Sequence, residues 1–536
     1  MKKIAIVGGG PTAIYSLAAL LKNEIQVDIT LYERTAEAGV GMPYADDDNS
    51  RMMLANIASI EIPPIFSSYL DWLKTQDPAY LARYGVEMAS LHERQFLPRI
   101  LLGDYFRHQF LRLVKEAKTR GFPIAVKESC EVTDLRIGAE GVHLWAQGKP
   151  VEKTVDLAII ATGHVWPDDD EATPTYFPSP WSGLIEASIP AGEIGIMGTS
   201  LSGIDAVMAV ANQHGEFVEN ADGSLAFTLD KGSETLNIAM LSRSGILPEA
   251  DFYCPLPYEP LHVVTEKAIN SAIEQGSEGL LDRVFKLMVE ELEVADPRWA
   301  HEIDMPGLTV DTFSHAWFAD RAHHHPFHWA AANLEEVERN KRDKHTVSWR
   351  YAVLRLHEAV EPVVPHLTEP DRDRFNNGLA RIFIDNYTAI PSESIRRLLA
   401  LREAGIVSIH ALGKDYTMAI KPRATRISGK QKSWVFDTFI DARGQKPMEI
   451  KDLPFPSLRQ QLSATGDDFP DVAEDYTLLA PEEARGKIVF AALPYLMHDK
   501  PFIQGITVCA EIGECIARAV SQTASQSRRH LPFIEL

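Results

Sequence analysis

The run from Lys3 to Tyr15, Lys-Ile-Ala-Ile-Val-Gly-Gly-Gly-Pro-Thr-Ala-Ile-Tyr, constrains the chain more than any other stretch. Ile4 to Val7 form a short apolar run of the kind buried on both faces of a parallel sheet, and Gly8 stops it. Gly8 permits a tight turn. Gly10 removes the side chain that would hold a pyrophosphate away from the backbone, and Ala13 takes the third position of G-x-G-x-x-G/A. Pro11 suits the first turn of a helix, where its missing N–H costs nothing, and Thr12 belongs to the same turn. Ile14, Leu17, Ala18 and Leu21 recur at helical spacing, so one face packs on the sheet while the N-terminus faces a phosphate.

Val27, Ile29 and Leu31 then alternate with polar residues, and the run ends at Glu33, where a ribose-binding carboxylate belongs. A carboxylate accepts hydrogen bonds from ribose hydroxyls and repels a 2′-phosphate. The first site is therefore predicted to take FAD or NAD, not NADP. Downstream, Met52-Met53-Leu54-Ala55-Asn56 reads as a loop beneath a flavin, with Asn56 a hydrogen-bonding partner, or as an ordinary connector. Arg99, in an amphipathic helix from Phe96 to Val114, is a candidate for a phosphate or the flavin edge. Val132, in hairpin material over 129–145, is a candidate backbone contact to adenine. Ala158 to Gly163 is a buried strand running into Thr162-Gly163, small enough to pass close beside a cofactor.

A second nucleotide signal follows. Ile194 to Met197 is another apolar strand, and Gly198-Thr199-Ser200-Leu201-Ser202-Gly203 is a GxSxxG turn opening a helix from Ile204 to Asn212. A nucleophile elbow would need glycine where Ser202 stands. After an inserted hairpin over 215–233, the next strand ends in Ser242-Arg243-Ser244. A cation with two hydroxyls suits a 2′-phosphate, so Ser242 and Arg243 are predicted to favour NADPH there, with NADH possible. From about 251 to 401 helical patterns dominate, at 268–273, 279–294, 334–342, 348–363 and 394–404. His323, His324, His325 and His328 share no clean helical face across Pro326 and lack cysteine or acidic co-ligands, so no metal is expected. Near the C-terminus, Gly505 and Thr507 precede an apolar helix whose N-terminus is positioned to face the flavin.

Composition narrows the function classes. A formal charge of −22 over 536 residues argues against nucleic acid or an anionic membrane surface as partner. The four cysteines, Cys130, Cys254, Cys509 and Cys515, form no C-x-x-C pair, which argues for a reducing compartment and against a redox-active disulfide. With no long apolar segment, a cytoplasmic protein acting on a small molecule is the expectation, its oligomeric state open.

Gly39-Val40-Gly41-Met42-Pro43-Tyr44, Met52 to Ile60, Gln95-Phe96-Leu97-Pro98-Arg99 and Asp441-Ala442-Arg443-Gly444 resemble the bacterial FAD/NAD(P)-binding oxidoreductase family of the enterobacterial protein YdhS. The resemblance covers nearly the whole chain. It implies FAD at Gly8, Gly10, Ala13, Glu33, Thr162 and Gly163, and a pyridine nucleotide near Gly198 to Gly203. The family's distant relatives include flavin-dependent N-hydroxylating monooxygenases, from which this chain departs in its helical insertion and in Ser200.

The expected architecture is α/β, with two Rossmann-like dinucleotide-binding domains and a large helical insertion. The FAD-binding domain is expected at 1–190, completed by 486–536. The NAD(P)-binding domain is expected at 191–250, completed by 402–445, and the helical substrate or lid domain at 251–401. The expected activity is FAD-dependent NAD(P)H oxidation of monooxygenase type on an unknown small molecule. A reductase with another electron acceptor and a non-catalytic FAD-binding redox sensor are the alternatives, and no catalytic residue is singled out.

Overall fold

The computed structural model describes residues 1–46, 49–167, 171–430, 432–503 and 505–529. Strands β1 (Lys2–Val7), β2 (Val27–Tyr32) and β3 (Ile124–Lys127) precede a meander of β4 (Val132–Gly138), β5 (Gly141–Ala146) and β6 (Lys149–Pro150), then β7 (Leu157–Ile160) and β8 (Tyr176–Phe177). The order then repeats. Strand β9 (Glu193–Met197), the hairpin β10 (Gly215–Glu219) and β11 (Leu225–Leu229), β12 (Asn237–Ser242) and β13 (Val407–Ala411) lead into a second meander. That meander is β14 (Thr417–Lys421), β15 (Ala424–Ser428) and β16 (Ser433–Phe436), followed by β17 (Thr438–Asp441) and a late strand, β18 (Ile488–Phe490).

Two five-stranded sheets result, ordered β18-β7-β1-β2-β3 and β8-β17-β9-β12-β13. Every pair within them is parallel. The two orders superpose strand for strand, β1 on β9 and β7 on β17, with a three-stranded antiparallel meander before the fourth strand of each. This is the Rossmann half-fold made twice, in agreement with the fold class read from sequence. Strand residues such as Ile4, Ile6, Ile194 and Ile196 are almost wholly buried, because helices cover both faces of a parallel sheet. Each such side chain contributes about 1.5–3 kcal/mol of burial.

Strand β8, within the 1–190 stretch assigned from sequence to the first domain, pairs with β17 at the edge of the second sheet. The segment 446–485, assigned to neither domain, packs Ile450, Leu453, Phe455, Leu458 and Leu462 against Ala158, Ile160 and the first meander. Helices in the 251–401 region face two ways. Phe327, Leu334, Val337 and Leu354 join the core of the second sheet, whereas Leu281, Val284, Phe313, Val353 and Phe383 build a separate core. The helices at Val310–His323, Glu369–Asn377 and Leu379–Tyr387 escape the sequence reading. Val310–His323 is nearly devoid of an apolar stripe because its buried face, Val310, Phe313, Ser314 and Arg321, includes a serine and an arginine.

Candidate functional site

At the first turn, Gly8 has φ +100° and an added Cβ would lie 2.3 Å from the Ala161 carbonyl oxygen, so only glycine lets β1 pass β7 there. The Pro11–Lys22 helix starts at Gly10 with no side-chain cap and no acid in its first turn. Five other helices are capped by a side chain, Ser68, Asp77, Thr265, Asp296 and Thr368 each accepting an N–H of the first turn, whereas Pro326–Asp343, Ser348–Val360 and Leu379–Tyr387 are uncapped as well. The free N–H groups at Pro11–Lys22 form the positive end that a diphosphate requires. Pro11 packs under Gly41, while the Thr12 hydroxyl is turned away and donates to Cys509 Sγ at 3.3 Å, leaving Thr12 only its backbone for a cofactor. Ala13 is fully buried against the sheet.

Glu33, at the end of β2, accepts the Gly9 N–H at 2.8 Å with Oε2, and the Thr35 N–H at 2.8 Å with Oε1. It braces the glycine turn from the ribose side. The Cys130 N–H donates to the Glu33 carbonyl at 2.8 Å, which brings Val132, at the start of β4, to the same end. Thr162 and Gly163 follow β7. Gly163 and Gly505 both have positive φ, and a Cβ on either would meet nothing within 4 Å. The Ile506–Arg529 helix runs beside Pro11–Lys22 so closely that a Cβ on Gly513 would lie 2.6 Å from the Tyr15 carbonyl carbon. With Thr12 against Cys509 and Tyr15 against Gly513, the helices run the same way, and the N-terminal turn holding Thr507 lies beside that of Pro11–Lys22. An FAD fits this arrangement: uncapped helix ends for its phosphates, Glu33 for its ribose, and open backbone at Gly163 and Gly505.

The second turn repeats the first. Gly198 has φ +141°, and its Cβ would lie 2.9 Å from the Ala442 carbonyl oxygen, as Gly8 lies against Ala161. The Leu201–Ala211 helix begins at Ser200, again with no side-chain cap and no acid in its first turn. A Cβ on Gly203 would lie 2.5 Å from the Gly198 carbonyl oxygen, so this glycine sets the closeness of helix and strand. The equivalence continues past the fourth strand, matching Ala161-Thr162-Gly163-His164 to Ala442-Arg443-Gly444-Gln445. His164 Nδ1 and Gln445 Oε1 are both buried with no hydrogen-bond partner among the described residues, and burial pushes the His164 imidazole below its ordinary pKa. Sequence reasoning missed these two, because the signal lies in aligning the repeats. Ser242 Oγ accepts the Gly245 N–H at 3.0 Å, bracing the turn, and Arg243 is exposed at the end of β12.

Arg99, expected at a phosphate or the flavin edge, is buried, with Nη2 2.7 Å from Asp205 Oδ2 and Nε donating to the Leu54 carbonyl at 3.0 Å. Asp205 lies on Leu201–Ala211, so the pair bolts the first half to the second half's nucleotide helix. Burial pushes the Asp205 carboxyl up in pKa while Arg99 pulls it down. Asn56 is exposed and lines a cleft of about 1560 Å³. Leu54, Leu97 and Pro98 wall one side, the C-terminal end of Leu201–Ala211 another, and Tyr253, Cys254, Tyr258 and Tyr387 the rest. The glycine turns do not line it. Burial raises the Glu61 and Asp251 carboxyls within it, and pushes the Cys254 thiol up to about 12, leaving no thiolate at neutral pH. The four histidines at 323–328 lie at the junction of two helices, His324 beside Asp320. Among the described residues no helix is long and apolar enough to cross a membrane.

Residues 5–165 match the FAD-NAD(P)-binding family and residues 265–387 the YdhS-like middle domain. Among solved structures, the ornithine hydroxylase PvdA of Pseudomonas aeruginosa is 12% identical, with a TM-score of 0.53 over 98% of this chain and 99% of its own. Its reduced form gives the same values. At that identity the likeness concerns the fold alone. YdhS of Escherichia coli (strain K12) is 62% identical over 533 residues, 99% of this chain and 100% of that protein. The glycine turns, the matched FAD-NAD(P)-binding region and this full-length identity together place the chain in the YdhS family of FAD/NAD(P)-binding oxidoreductases.

Proposed function

We propose that the chain is a monooxygenase-type flavoenzyme: the first cradle would hold FAD, the second NADPH as the source of electrons, and the large cleft a small molecule oxygenated with O2 as co-substrate. The observation that carries this reading is the cleft itself. It is walled by segments of the first half, by the C-terminal end of the Leu201–Ala211 helix and by the helical region, and is large enough to hold a small molecule. Bound flavin supplies the chemistry of accepting hydride and passing electrons to oxygen. The chain's own residues do the rest. Gly10, Gly163 and Gly505 leave room for the cofactor, Gly8 lets β1 pass β7, Glu33 orients the ribose, and the Arg99–Asp205 pair fixes the spacing of the two halves.

Five cations of the cleft, Arg51, Arg83, Arg94, Arg342 and Lys344, have no carboxylate partner, against three such acids, Asp46, Glu61 and Glu93, among the described residues. An anionic substrate is favoured, with Arg94, stacked 4.6 Å over the Tyr253 ring, in reach of it. PvdA, which shares the fold, is by name an ornithine hydroxylase, and hydroxylation is the reaction type proposed here.

Stopped-flow absorbance tests the reading. Anaerobic NADPH should bleach the yellow protein, and oxygen should then produce a transient near-ultraviolet absorbance before the oxidised spectrum returns. Direct return with no transient would favour a reductase passing its electrons elsewhere and would remove the monooxygenase assignment.

A further inference from the structure

The arginines at the C-terminal edge of the second sheet divide into two kinds. Arg443 is held by Asp441, with Nε to Oδ1 at 2.8 Å and Nη2 to Oδ2 at 2.5 Å. Arg321 is held through both nitrogens by Asp385, whose Oδ2 also accepts the Trp317 indole N–H at 2.8 Å. Arg350 is shared between Glu249 and Glu336. Arg243 and Arg381 form no ion pair with a carboxylate among the described residues.

These two lie together although they are distant in sequence. Arg381 stands one helical turn before Asp385 on Leu379–Tyr387, so both point to one side of that helix. Asp385 holds Arg321, and Arg321 Nη1 reaches the Leu247 carbonyl at 3.4 Å, in the loop that begins at Arg243. Arg381 and Arg321 also flank the same ring, at 5.3 Å and 5.1 Å from the centroid of Phe318. Asp385 is engaged by Arg321 and Trp317, and its charge, which favours the Arg381 cation, offsets only part of the opposing push. Burial, and after it the charge of Arg243, push the Arg381 guanidinium below its ordinary pKa, as expected for neighbouring like charges. The Arg243 backbone is fixed, its carbonyl accepting the Gly413 N–H at 3.0 Å.

Two neighbouring guanidinium groups with no ion pair of their own repel, and an anion bound by both removes the cost. The pair sits just beyond the end of β12, where the adenosine ribose of a dinucleotide on the Gly198 turn would lie. We infer that Arg381, from the helical region, and Arg243, from the second sheet, together clamp the 2′-phosphate of NADPH. This rests on reading the Gly198 turn as the coenzyme site. It gives the helical region a part in choosing the coenzyme in addition to walling the cleft.

The test is calorimetric titration of the FAD-loaded full-length protein with adenosine 2′,5′-bisphosphate and with adenosine 5′-monophosphate. Arg381→Ala should weaken the bisphosphate by about tenfold, one charge-assisted contact, and leave the monophosphate within about twofold. Arg381→Lys, which keeps the charge, should fall between, and serves where the alanine variant is poorly folded. Equal loss of both probes, or loss of neither, while the wild type binds both, would overturn the clamp but leave the coenzyme site standing. Wild-type protein that binds neither probe would overturn the coenzyme site itself, and the clamp with it.

Discussion

The two nucleotide cradles are built on one plan and differ at one decisive place. Both place an uncapped helix after a glycine that presses on the carbonyl of an alanine from the fourth strand, Gly8 on Ala161 and Gly198 on Ala442. The second strand of the first ends in Glu33, and that of the second in Arg243. On the proposed reading, the shared parts would bind what all dinucleotides share, a diphosphate, and the divergent residue would select among them by charge. The duplicated sheet thus separates affinity from selectivity, and each can be disturbed without the other.

The largest effect is expected where the halves meet. Arg99→Ala strands Asp205 in a buried site and should cost about 3–5 kcal/mol in urea unfolding, whereas a paired Arg99→Met, Asp205→Leu replacement should cost far less. Similar losses for single and double variants would show that the pair does not act as a unit. Next comes the steric asymmetry of the turns. Gly8→Ala, with the shorter contact, should cost about 3 kcal/mol or block folding, and Gly198→Ala about half as much. The reverse ranking in thermal melts would break the equivalence drawn between them.

The charge difference should appear in ligand preference. Glu33→Ala should lower the flavin-to-protein ratio on purification, while Arg243→Ala should retain flavin and raise the KM for NADPH about tenfold more than that for NADH. An Arg243 variant that loses both coenzymes equally would remove the argument from charge. The smallest effect concerns the large cleft. Burial raises the Glu61 carboxyl above the ordinary 4.5 of glutamic acid, so its protonated form favours the fold; that contribution is complete below 4.5 and fades as pH rises through the folded value. Glu61→Gln should therefore be relatively more stable than wild type at pH 8 than at pH 4, by no more than about 1 kcal/mol. A gap that does not change with pH in urea titrations would show that Glu61 carries no such strain.

What the sequence reveals follows the range of the interactions. The Gly8 and Gly198 turns, the hairpin over 215–233 and the acid at Glu33 are legible because strand, turn and helix lie within a few dozen residues and leave periodic patterns. The duplicated strand order makes the α/β class secure. The Arg99–Asp205 ion pair is not legible, because its members lie over a hundred residues apart and nothing local announces it. The Leu379–Tyr387 helix, and Arg381 on it, were invisible because that helix is short and anchored by distant contacts such as Asp385 with Arg321. Strand β8 is two residues long, too short to carry any pattern.

The path of the chain between the sheets bears on how the protein is made. Strand β8 leaves for the second sheet before that sheet has formed, and β18 with the Ile506–Arg529 helix returns to the first only after the second is finished. During synthesis the edge of β7 stands unpaired and the outer face of the Pro11–Lys22 helix uncovered until residues beyond 488 emerge from the ribosome. The first half therefore lacks one strand and one helix until those residues have been made, and a fragment ending at the first exit strand would present a bare, aggregation-prone margin.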